Sequence, residues 1–128
     1  MTAARVLLPG FVGTTLPAWL EARLRGGLGG VCLFGENVES REQLLALTAA
    51  ITAANPDALI AIDEEGGDVS RLYQSTGAPF PGNALLGRID DLDYTARVAT
   101  AVVSSWAPWG STSTSRPTST STRTPTTR

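Results

Sequence analysis

Residues 30–62 read GVCLFGENVESREQLLALTAAITAANPDALIAI. Two short apolar runs, residues 30–34 and 58–62, flank a stretch in which Leu44, Leu45, Leu47, Thr48 and Ile51 recur at helical spacing. Neither run alternates polar with apolar residues, which predicts strands buried on both faces. Gly35 closes the first run. Ser40 is placed to cap the helix, and Gln43 falls three residues later at the capping-box position. Asn55-Pro56 supplies the stop, because proline cannot continue a helix. Strand, helix and strand in this order predict a parallel pair joined by a helical crossover.

The same alternation extends towards the N-terminus. Residues 5–11, ending in Pro9, Gly10 and Phe11, predict another buried strand. Residues 16–25 predict a helix, with Thr14 or Thr15 as cap, Pro17 in the first turn and Gly26-Gly27 as the stop. Three strands and two helices within seventy residues place the chain in the α/β class. Doubly wound sheets and barrels both begin this way, and periodicity does not choose between them.

Beyond residue 62 the pattern changes. Residues 64–83 are polar and rich in Gly and Pro, typical of a site-forming loop. A further helix is predicted from Asp91 or Asp93 to residue 103. Residues 110–128 consist only of Gly, Ser, Thr, Arg and Pro, a composition that builds no core. The expected organisation is a folded part, residues 1–103, and a disordered tail, residues 104–128.

With 128 residues, 42% of them apolar, the chain suits one soluble domain or part of one. Residues 1–103 carry twelve acidic groups against seven Arg, a net charge of −5, which is not the footprint of a nucleic-acid binder. Cys32 is the single cysteine, set in an apolar run, and is expected to be a small core residue without a disulfide. No run approaches the roughly 20 apolar residues of a membrane span, nor is there a signal-peptide pattern. No membrane partner is expected, and the expected location is the cytoplasm.

The densest chemistry is Ile62-Asp63-Glu64-Glu65-Gly66-Gly67-Asp68-Val69-Ser70-Arg71, with four acids in six positions at the C-terminal end of a predicted strand. Ligands bind at that end in α/β proteins. Grouped carboxylates serve glycoside hydrolysis or hold divalent metals, and a solvated acidic turn is the plain alternative. Spacing alone leaves these open.

This segment resembles the I/V-D-Q-E-G-G-x-V-x-R motif of glycoside hydrolase family 3, in particular its bacterial β-N-acetylglucosaminidase branch. Residues 29–37 resemble that branch's second strand and following loop, residues 40–55 its next helix, and Pro79-Phe80-Pro81 the passage that follows. The resemblance implies the first three to four βα units of a TIM (β/α)8 barrel, a fold of about 250 residues when complete. It implies hydrolysis of terminal β-linked N-acetylglucosamine or related sugars with retention, without cofactor or metal. Asp63 and Arg71 match the family's sugar-binding aspartate and arginine. Glu64, Asp68 and Ser70 depart from the usual Gln, Arg and Gln. The family's nucleophilic aspartate lies on a later strand, and the branch's proton donor is a histidine, a residue absent from these 128. No catalytic residue is therefore assigned here. A non-catalytic sugar-binding module is the alternative. A nucleotide-binding α/β fragment ranks lower, because Pro9-Gly10-Phe11-Val12-Gly13 is not a phosphate-binding loop.

The tail carries one more signal. Read one base earlier from Trp106 onward, Ser codons encode apolar residues and Thr codons encode Asp, Asn, His or Tyr, so Ser/Thr alternation becomes apolar/polar alternation. One permitted translation is LGAVGVDLDFAPDVDVDTNPNNP, which resembles the family's fourth strand and its loop. The expectation is a frameshift near residues 103–105, ranked ahead of an authentic Ser/Thr/Pro linker or glycosylated stalk, and the nucleotide sequence tests it directly.

Overall fold

The computed structural model describes residues 3–106. Its elements are α1 (Ala18–Arg25), β1 (Gly30–Leu33), α2 (Arg41–Ala54), β2 (Leu59–Ile62), α3 (Asn83–Ile89) and α4 (Leu92–Trp106). Short 3-10 turns cover Ala3–Val6 and Gly35–Asn37. Strands β1 and β2 pair in parallel, with Gly30 opposite Leu59 and Leu33 opposite Ile62. The expected tail beyond residue 106 lies outside the described residues.

Helix α2 forms where the sequence places it. Ser40 Oγ accepts the Gln43 N–H at 3.1 Å. The return bond of the box lands one residue early, Gln43 Oε1 accepting from the Glu39 N–H at 2.9 Å. At the other end Asn55 ties the helix exit to the approach to β1, its Nδ2 donating to the Leu28 carbonyl at 3.0 Å. Leu44, Leu47 and Ile51 on one face pack with Val31 and Leu33 of β1, Ile60 of β2, and Leu20 and Leu24 of α1 in a single apolar cluster. Burying such side chains is the main favourable term in folding.

Helix α1 starts later than the sequence implies. Pro17, not Thr14 or Thr15, occupies the cap, and its carbonyl accepts from the N–H groups of Leu20 and Glu21. Proline serves here because its extended backbone, φ −74° and ψ 147°, already suits the position before the first turn.

Residues 5–11 are not a strand. They lie beside β1, where Gly29 N–H donates to the Ala4 carbonyl at 2.9 Å and Cys32 N–H to the Pro9 carbonyl at 3.1 Å. Between those two bonds this segment spends five residues against three on the β1 side, and the surplus coils into the Ala3–Val6 turn. Pro9 lacks an N–H to return to the ladder. Val6, Leu7 and Leu8 are exposed, so no apolar cover holds them flat. The approach is close because Gly29 has no side chain: a Cβ there would sit 2.0 Å from the Arg5 carbonyl oxygen.

Helix α3 falls inside and beyond the passage expected to be irregular. It is brief, and Leu86 is its one buried residue. Helix α4 runs three residues past the boundary expected at residue 103, and its last residue, Trp106, joins the main core cluster. Leu59 on β2, Trp19 on α1 and Leu92 on α4 remain exposed.

Candidate functional site

The segment after β2 leaves the sheet at Asp63 and returns at Leu72, which is buried in the core. Between them Gly66 to Val69 form a tight turn, closed by Val69 N–H donating to the Gly66 carbonyl at 3.2 Å and Glu65 N–H to the Val69 carbonyl at 2.9 Å. Gly66 has φ +79°, a left-handed conformation that side chains disfavour, and a Cβ there would meet the Pro81 carbonyl oxygen at 2.7 Å. Gly67 N–H donates to the Phe80 carbonyl at 2.9 Å, so the turn rests on the Phe80-Pro81 segment. Tyr73 packs edge-on against Phe80, with ring centroids 6.4 Å apart.

The four acids that look alike in sequence have four different roles. Asp63 faces Arg71, with Oδ2 and Nη2 3.9 Å apart, and its side chain is 54% exposed. Glu64 turns inward, Oε2 accepting the backbone N–H groups of Arg71 at 2.9 Å and Leu72 at 3.0 Å. Glu65 accepts from Asn83 Nδ2 at 2.7 Å, tying the loop to the start of α3. Asp68 sits exposed at the tip of the turn. Ser70 is buried and accepts the Tyr73 N–H at 3.1 Å. The sequence-predicted pair, Asp63 and Arg71, is thus brought together at the C-terminal end of the sheet, whereas Glu64, Glu65 and Asp68 are directed elsewhere. Among the described residues no three acid or thiol side chains converge on one point that would hold a metal ion.

Two further residues shape this end of the sheet. Asn37, fully buried, donates from Nδ2 to the carbonyls of Phe11 at 2.9 Å and Gly13 at 2.8 Å, while its Oδ1 accepts the Phe34 N–H at 2.8 Å. It locks the exit of β1 to the segment before α1. Its sequence signal is a polar residue shortly after an apolar strand, at the end of the 29–37 stretch that resembles the family's second strand and loop. Cys32, on β1 opposite Ala61, is half-buried rather than a core residue, and it carries no disulfide. Burial pushes its thiol pKa up, the Asp63 carboxylate pushes it further, and Arg71 opposes. Near neutral pH the thiol is therefore protonated and a poor nucleophile. Asp63→Asn removes one of the two raising influences, so Cys32 should alkylate faster with iodoacetamide at pH 8 than in the unsubstituted chain. An unchanged rate would separate Cys32 from the Asp63 and Arg71 pair.

Comparison with known proteins follows the same outline. Residues 17–126 match the family model described as the glycosyl hydrolase family 3 N-terminal domain. The chain belongs to glycosyl hydrolase family 3. Among relatives in that family, the beta-hexosaminidase of Bordetella pertussis is 43% identical over 103 residues, covering 75% of this chain and 29% of that protein. Beta-hexosaminidase A of Pseudoalteromonas piscicida is 36% identical over 100 residues, covering 70% of this chain and 17% of its own length. The chain thus spans under a third of these family 3 relatives.

Solved family 3 structures agree in fold. NagZ from Neisseria gonorrhoeae, crystallised with N-trifluoroacetyl-D-glucosamine, superposes with a TM-score of 0.64 at 30% identity, over 81% of this chain and 33% of that one. A family 3 β-N-acetylglucosaminidase from Paenibacillus superposes with a TM-score of 0.73 at 25% identity, over 86% of this chain and 23% of that one. The two parallel strands and their helices therefore correspond to the N-terminal part of the family 3 barrel.

Proposed function

We propose that this chain supplies the sugar-gripping strand end of a retaining β-N-acetylhexosaminidase, acting on terminal N-acetylglucosamine or a related sugar as in cell-wall recycling. The observation that carries the reading is the Asp63 and Arg71 pair at the C-terminal end of β2. A half-exposed carboxylate accepts from sugar hydroxyls, and a guanidinium beside it donates in a fixed fork. The sugar in the gonococcal NagZ complex, a glucosamine derivative, supports the substrate class.

Retaining hydrolysis needs a nucleophilic carboxylate and a separate proton donor on opposite sides of the bond that breaks. In the family the nucleophilic aspartate lies on a later strand and the branch's proton donor is a histidine, so Asp63 and Glu64 are assigned neither role. This part of the barrel binds and orients the sugar, and the bond-breaking groups come from elsewhere in the enzyme. A small carbohydrate in the cytoplasm, rather than nucleic acid or a membrane, is the partner. No helix among the described residues is long and apolar enough to cross a membrane.

Saturation-transfer NMR of the 128-residue chain with N-acetylglucosamine tests the reading. Transfer to the acetyl and ring protons, absent with an equal concentration of glycerol, is the expected result. No transfer at millimolar sugar would remove the reading. Turnover of 4-nitrophenyl N-acetyl-β-glucosaminide by this chain alone would contradict the division of labour.

A further inference from the structure

We infer that Glu64 is the residue that positions Arg71, and the sugar-binding consequence of this rests on the reading just proposed. Arg71 leaves irregular backbone, so no helix or strand fixes the direction of its side chain. What fixes it is a single carboxylate oxygen: Glu64 Oε2 accepts both the Arg71 and the Leu72 N–H. Two consecutive backbone donors on one acceptor oxygen set the orientation of the peptide between them.

The ring closed by these bonds contains the Gly66 to Val69 turn and has Asp63 just outside one end. Its other end is Leu72, anchored in the core. Asp63 and Arg71 therefore flank one clamp, and their 3.9 Å approach follows from it. Two buried side-chain atoms without a protein partner among the described residues belong to this same pair: Glu64 Oε1, an acceptor, and Arg71 Nε, a donor. Arg71 thus meets Asp63 through Nη2, while its Nε is buried without a protein partner among the described residues.

The clamp requires an acceptor oxygen rather than a charge, which separates it from a general electrostatic effect. Glu64→Gln keeps that oxygen and Glu64→Ala removes it. In the 128-residue chain, hydrogen exchange read by mass spectrometry at low micromolar concentration reports on the Arg71 and Leu72 amides. Saturation-transfer titration with N-acetylglucosamine reports on binding. Glu64→Ala should speed exchange of the two amides at least about tenfold and weaken sugar binding by a similar factor, with protection across β1 and α2 unchanged. Glu64→Gln should restore both to within about threefold of the unsubstituted chain.

Amides that stay protected in Glu64→Ala, or a Gln variant that behaves like the Ala variant, would overturn the inference. If the unsubstituted chain binds no sugar while the exchange pattern appears as described, the positioning role stands and the sugar reading falls. If the sugar binds equally to the unsubstituted chain and to Glu64→Ala, the sugar reading stands and the positioning role falls.

Discussion

Asn37→Ala should remove a large share of this chain's folding free energy, lowering protection from hydrogen exchange across β1 and α2 by about two to four orders of magnitude. The side chain is completely buried and serves three backbone groups at once: the carbonyls of Phe11 and Gly13 and the N–H of Phe34. Alanine leaves all three without that partner. Each unsatisfied buried group costs about 1–3 kcal/mol, so the sum is roughly 3–6 kcal/mol once partial access of water is allowed for. A domain has about 5–15 kcal/mol in total, so the loss is a large share. Asn37→Asp is the sharper control, since it preserves shape and the bond from Phe34. It turns an oxygen towards two carbonyl oxygens where Nδ2 had donated, and should destabilise at least as much as alanine. An Asp variant as protected as the original would show that volume, not the hydrogen-bond pattern, holds the β1 exit in place.

What could be read in the sequence follows the reach of the interactions involved. Ser40 with Gln43, Asn55 before Pro56, and the apolar runs of β1 and β2 act over a few residues, and each forms close to its expected place. The segment 5–11 has the same apolar character, but becoming a strand depends on partners distant in sequence. Pro9 and the surplus of residues opposite β1 decide the matter instead. Helix α3 is not legible in the sequence because it is only seven residues long and has Gly87 near its end, so helical periodicity has too few positions to emerge. Trp106 stood next to a biased tail, and composition hid its place in the core.

At the site, the residues alone indicated an acidic, glycine-rich strand end, and the family resemblance singled out Asp63 and Arg71. Neither foretold how the other acids divide. A carboxylate that accepts backbone N–H groups seven and eight residues away has no spacing rule like the one that identifies a helix cap. Glu64 stands in place of the family's usual Gln. In the structure an oxygen at this position accepts two amides, which an amide side chain also does.

The largest effect on sugar binding is expected at Arg71. Arg71→Ala should weaken N-acetylglucosamine binding by about ten- to a hundredfold, the range for a hydrogen bond to a charged group. Arg71→Lys should recover little of it, because an ammonium supplies charge without the planar fork whose Nη2 faces Asp63 and whose Nε lies buried beside it. Asp63→Ala should fall in the same range, and the double variant should lose less than the two single losses combined, since groups that contact each other are not independent. Asp68→Ala decides whether this is a site or merely an acidic turn. Asp68 lies in the same loop and carries the same charge, yet it is exposed at the tip of the turn. If binding depends on placed groups, titration of Asp68→Ala should match the unsubstituted chain. Were binding governed by loop charge, Asp68→Ala and Asp63→Ala would shift it alike, and the assignment of Asp63 would be lost.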